Sequence, residues 1–180
     1  MYGFQLTSMN TNLILTVIGD DRTGLISELS AVISAHQGNW VESAMSHLAG
    51  KFAGIVRVAV PKANEVALQT ALSGLTGLIV NAESSGETVP SKGRRLKLSL
   101  VGHDRIGIVR EVSQVLARHA VNVEELTTRT ASAPMSAEIL FYADAELLAG
   151  PDLDTRALAA DLERISGELV VDIELVEALK

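Results

Sequence analysis

A chain of 180 residues accommodates one mid-sized domain or two small ones, and 47% apolar content with only 3% aromatic residues means that any core is built from Val, Ile, Leu and Ala. The formal charge of −7 argues against the broad positive surface that non-specific nucleic-acid binding requires, so no direct contact with nucleic acid is expected. With no cysteine there is no disulfide framework, thiol nucleophile or Cys-based metal site. No stretch approaches the roughly 20 apolar residues that span a bilayer, and the N-terminus lacks the features of a secretory signal. No membrane association is expected, and the default address is cytoplasmic.

Residues 1–11 fit neither of the repeats described next. They read as a native arm, an expression remnant, or sequence ahead of a start at Met9. From Leu13 the chain reads LILTVIGDDRTGLI and from Leu96 LKLSLVGHDRIGIV, at a constant offset of 83 positions. Glu28 and Glu111, Ser30 and Ser113, Val32 and Val115, His36 and His119, Asn39 and Asn122, and Glu42 and Glu125 are identities in the same register. An internal repeat of this length means one supersecondary unit used twice.

Each copy opens with an apolar run, Leu13 to Ile18 or Leu96 to Val101, whose β-branched content reads as a strand. A Gly-rich turn follows. Leu25, Leu29, Val32 and Ile33, matched by Ile108, Val112, Val115 and Leu116, then recur with the spacing of one helical face. Gly38 is placed to end the first helix in a left-handed cap. Phe52, Gly54, Val56, Val58 and Val60 alternate as a half-buried strand, and Met135, Ala137, Ile139, Phe141 and Ala143 repeat the pattern at the same offset.

Second helices are expected around Val66, Leu68, Leu72 and Leu75, and around Leu158, Leu162 and Ile165. Aligning Leu68 with Leu158 raises the offset to 90, which places about seven extra residues in the second copy between Asp144 and Asp154. Last strands near Leu78 to Glu83 and Leu169 to Val176 complete β-α-β-β-α-β twice. The expected class is α+β: two ferredoxin-like domains with antiparallel sheets and helices on one face, at 12–84 and 93–180, joined by a polar linker at 85–92. The uncovered sheet faces and edges imply association between domains and a homo-oligomer.

The turns Gly19-Asp20-Asp21-Arg22-Thr23-Gly24 and Gly102-His103-Asp104-Arg105-Ile106-Gly107 admit two readings. In one, the Asp caps the helix and Arg22 and Arg105 are solvated or paired with the turn. In the other, the helix N-terminus receives a carboxylate or phosphate. His36 and His119 sit at helix ends, where they reach the last carbonyls. His103, Asp104, Glu124 and Glu125 make a poor metal cluster, Ser27, Ser30 and Ser113 have no nucleophile context, and no phosphate-loop string occurs. Lys92, Arg94, Arg95 and Lys97 read as a solvated basic patch, and Trp40 and Met45 as packing or interface residues.

The strand, the D-R-x-G turn, the amphipathic helix and the Asn-x-x-Glu that follows resemble the ACT domain, in tandem as in regulators of the glycine cleavage repressor type. This resemblance implies a non-catalytic regulator without a cofactor that binds a small ligand, such as glycine or another amino acid, at an interface between domains. It implies one site of Asp20, Asp21, Arg22, Gly24 and Asn39 and another of His103, Asp104, Arg105, Gly107 and Asn122. It also implies a protein partner, a transcription factor of amino-acid metabolism. Thr23 and Ile106 stand where many such turns have Pro. A ligand-independent interaction adaptor and an enzyme of ferredoxin-like fold are the competing readings, the latter lacking any nucleophile, metal or cofactor motif.

Overall fold

The computed structural model describes residues 9–86, 92–133, 138–165 and 169–175. The chain divides into two compact units, Met1–Val89 and Pro90–Lys180. The first contains β1 (Asn10–Asp20), α1 (Leu25–Ala35), β2 (Asn39–Leu48), β3 (Lys51–Pro61), a 3-10 turn (Lys62–Asn64), α2 (Glu65–Ser73) and β4 (Leu78–Ser85). The second contains β5 (Arg94–His103), α3 (Ile108–Arg118), β6 (Asn122–Ser132), β7 (Ile139–Ala149), α4 (Thr155–Glu163) and β8 (Val170–Leu175). Both sheets are antiparallel, ordered β2-β3-β1-β4 and β6-β7-β5-β8, which is the ferredoxin-like arrangement read from the sequence.

The period-2 strands put Leu13, Leu15 and Val17 of β1 and Val56, Val58 and Val60 of β3 on one face, all buried against Leu25, Leu29 and Ile33 of α1 and Leu68 and Leu72 of α2. Leu96, Leu98 and Leu100 take the same role in the second unit, under Ile108, Val115, Leu116, Leu158 and Leu162. Each fully buried Leu contributes about 1.5–3 kcal/mol through the hydrophobic effect. Val66 departs from its expected place on the inner face. It is 71% exposed, because it lies only two positions from Leu68 and a helix turns about 200° over that interval.

The helix ends also differ from expectation. Gly38 is not the left-handed residue; Gln37 (φ 60°) is, with Ala120 (φ 54°) at the matching place. Gly38 N–H donates to Ile33 O and Gln37 N–H to Ser34 O, a Schellman pair repeated by Val121 to Leu116 and Ala120 to Ala117. Glycine at 38 serves close approach instead, since a Cβ there would meet Ile33 Cγ2 at 2.8 Å.

Strand pairing corrects the repeat alignment past β6. Leu13 pairs with Val58, but Leu96 pairs with Leu147, so β3 and β7 are related by an offset of 89 and Phe52 corresponds to Phe141 rather than Met135. Six of the extra residues therefore fall in the β6–β7 connection, and only one falls ahead of α4. A shift of six is even, so strict alternation looks the same in either register. Met135 and Ala137 lie outside the described residues.

Candidate functional site

In both copies the first strand runs into the first helix through a turn whose last residue is a left-handed glycine, Gly24 (φ 94°) or Gly107 (φ 93°), which is the helix N-cap. An L side chain at that angle is strained, and this is why glycine recurs there. No side chain caps either helix, so neither turn Asp performs the expected capping. Asp20 instead pairs with Lys51, whose ammonium holds the carboxyl below its usual range. Asp21 donates its N–H to Gly50 O, and its carboxylate lies 3.6 Å from His47 Nε2. In the second copy Asp104 N–H donates to Ile139 O, and His103 Nδ1 lies 3.9 Å from Glu138.

The arginines stay partly exposed to solvent, and each pairs beyond the turn with a glutamate of the following helix. Arg22 makes a two-pronged bond to Glu28, with Nη1 and Nη2 each at 2.6 Å, and Arg105 makes the same bond to Glu111 at 2.9 and 2.5 Å. This charge-assisted fork lowers both glutamate pKa values and raises those of the arginines. Glu28 and Glu111 were visible in the sequence as repeat identities, but nothing in their spacing named their partner. Arg22 also lies near the α2–β4 loop, where a Cβ on Gly77 would sit 3.7 Å from Nη2.

Above the uncapped start of α1 lies an open depression of about 300 Å³, lined by Asp21, Arg22, Gly24, Leu25, Ile26, Ser27 and Phe52. Three expected site residues of the first copy line it. It lies at the positive end of the α1 dipole, with Asp21, an Arg22 already paired with Glu28, and Phe52 as an apolar wall. In the second copy Ile108 N–H donates to Arg105 O at 3.4 Å.

Asn39 and Asn122 do not join these turns within a unit. Asn39 pairs with Ala59 at one end of β3, whereas Asp20 pairs with Lys51 at the other. Eight residues of strand separate them, about 26 Å at ~3.3 Å per residue. Asn122, paired with Leu148, is equally far along the sheet from His103, paired with Leu140.

The remaining candidates have partners within their own units. The Val32 carbonyl accepts from His36 Nδ1 at 2.8 Å, while His119 Nε2 lies 2.8 Å from Asp161 and helps hold that carboxyl below its ordinary pKa. Arg94, expected in a solvated patch, instead donates to Leu153 O at 3.1 Å and Pro151 O at 3.4 Å, and Arg95 pairs with Glu124 at 3.4 Å. Trp40 and Met45 pack on the first core. At the corresponding positions Val123 and Thr128 are smaller, and β6 leaves an apolar groove beside α3 over Phe141, Ala143 and Ala145. Among the described residues no His, Asp and Glu group gathers as a metal site, and no helix is long and apolar enough to cross a membrane.

The ACT domain family profile matches residues 11–77, which takes in β1, the turn, α1, the hairpin and α2. The first unit is an ACT domain. The second repeats its sequence and strand order, so the chain is a tandem of the ACT fold, a regulatory fold. No curated protein sequence matches it. Among solved structures, an unknown protein from Galdieria sulphuraria is 28% identical, with a TM-score of 0.79 over 94% of this chain and 100% of that one. A protein provisionally named a glycine cleavage system transcriptional repressor shares the fold at 14% identity, with a TM-score of 0.69 over 94% of this chain and 99% of that one.

Proposed function

We propose that this tandem ACT chain is a non-catalytic sensor of a small carboxylate-bearing metabolite, an amino acid such as glycine. It acts in the cytoplasm by contacting a transcription factor of amino-acid metabolism rather than DNA. The observation that carries the reading is the uncapped N-terminus of α1 opening on the depression beside Asp21, Arg22 and Phe52. The ligand carboxylate takes the first-turn N–H groups, Asp21 faces its ammonium, and Gly24 lets the ligand approach the backbone. Asp104, Arg105 and Gly107 form the second seat, with Asp20 and His103 at the two rims. Asn39 and Asn122 enter such sites from a second chain. The ligand shifts the balance of arrangements only by its differential affinity for them.

One observation favours a second reading. Glu28 and Glu111 already occupy both arginine forks, as expected of turns that are complete without a ligand, and a constitutive protein-binding adaptor would need no more.

A melting-temperature screen against the twenty amino acids separates the two. A ligand at 100 times its Kd adds about 2.7 kcal/mol, which raises Tm by about 5–10 °C in a chain of this size. Ser27→Asp places a carboxylate in the first turn of α1, where it suits the dipole but repels an anion. The unliganded Tm is then maintained and the ligand shift disappears. No shift with any amino acid, or a shift that survives Ser27→Asp, sinks the sensor reading.

A further inference from the structure

One side chain of the β2–β3 hairpin sets the charge of the depression above α1. His47 pairs with Phe52 across the hairpin, so it lies on the helix-side face of the sheet beside the ring that walls the depression. Its Nε2 stands 3.6 Å from Oδ2 of Asp21, which lines the same depression, and the two side chains are 57% and 46% exposed. The Asp21 N–H, donated to Gly50 O at 2.9 Å, ties the hairpin to the turn. The other charged groups around the depression are already committed. Arg22 and Glu28 cancel in their fork. Asp20 and Lys51 pair with each other, one position along from Gly19 and Phe52 and therefore on the opposite face of the sheet. The α2–β4 loop, Gly74 to Gly77, brings no charge. Asp21 and His47 alone thus decide whether the depression is negative or neutral. On β6 the place of His47 is taken by Thr130, opposite Phe141, so the repeat supplies the same turn without the imidazole.

We propose that His47 competes, in its protonated form, for the carboxylate that receives the ligand's ammonium, so that an amino acid enters the first unit's seat as the imidazole gives a proton to solvent. This rests on the sensor reading above. An imidazolium and an ammonium are both cations that donate hydrogen bonds, and Asp21 is the single uncommitted carboxylate between them. The neutral ring reverses the relation. It leaves Asp21 to the ligand and offers a ring nitrogen that accepts from the same ammonium. Imidazole is the side chain that changes charge between about pH 5 and 8. Affinity therefore falls as pH falls through that range and recovers as it rises. The apparent Kd is the intrinsic value divided by the fraction of molecules with a neutral ring, which approaches tenfold per pH unit for strict competition. The exposure of the pair to solvent keeps the change below that limit.

Calorimetric titration of the full chain with glycine, which keeps both charges over this range, tests the inference between pH 5.5 and 8 in pairs of buffers with different ionisation enthalpies. The wild-type chain shows a Kd at least about threefold higher at pH 5.5 than at pH 8, with protons released on binding in between. His47→Thr, which copies the second unit, flattens the profile and removes that proton release, and the comparison subtracts whatever the other histidines contribute. His47→Gln gives the same flat profile if the threonine variant is poorly folded by far-UV circular dichroism. Glycine binding whose pH profile is the same in the wild type and a folded His47 variant overturns the inference and leaves the sensor reading standing. Glycine that releases no heat at any pH overturns the inference together with the glycine form of that reading, and the heat at pH 8 tells the two failures apart.

Discussion

Replacing Ala120 by glycine is expected to stabilise the protein, although glycine ordinarily weakens a fold. Ala120 holds φ at 54° just past α3, its N–H donates to Ala117 O, and its small side chain is exposed. An L residue in the left-handed region costs about 1–2 kcal/mol relative to glycine. Glycine loses about 0.4–1 kcal/mol through the freer unfolded chain. The difference leaves a gain of up to about 1.6 kcal/mol, or up to about 6 °C in Tm for a chain of this length. Urea titration followed by far-UV circular dichroism reads it as a raised midpoint at constant slope. A lowered midpoint would refute the assignment of this residue to a left-handed cap and the strain argument with it. Gln37→Gly, the same change in the first unit, should give a smaller gain, since Asn64 Nδ2 donates to the Gln37 side chain at 3.4 Å.

Glu28 and Glu111 have folded-state pKa values below the unfolded value of about 4.3, so their contribution to stability is complete above that pH and is lost as pH falls through the folded value. Urea midpoints measured from pH 7 to pH 3 should fall in this window, and less steeply in the double variant Glu28→Gln and Glu111→Gln; equal slopes would count against the forks. On α2, Leu68→Ala should cost about 2–5 kcal/mol. Val66→Lys should stay within about 0.5 kcal/mol of wild type. Denaturant titration of the two variants checks which face is buried.

The repeat and its periodicities made the fold legible before any coordinates, because burial of one face imposes spacing that a reader can see. What they could not show was register. The six residues added between β6 and β7 preserve alternation, so Phe52 matched Met135 as well by pattern as it matches Phe141 by hydrogen bonding. The turn was legible as a constellation, through the paired Gly, Asp and Arg residues, but not its wiring. Arg22 finds Glu28 one turn into α1, and the cap belongs to Gly24. The separation of Asn39 from the turn follows from topology. An α1 of 11 residues carries the chain about 16 Å toward the other end of the sheet before β2 begins, and sequence proximity hides that displacement.

Trp40 is the chain's single tryptophan, half-buried on the first core, and the second unit has Val123 in its place. Its fluorescence therefore observes one half of the molecule, whereas circular dichroism sums both halves. Unfolding curves from the two probes coincide only if the halves melt as one cooperative system, and any gap between them measures how far each half keeps its own stability.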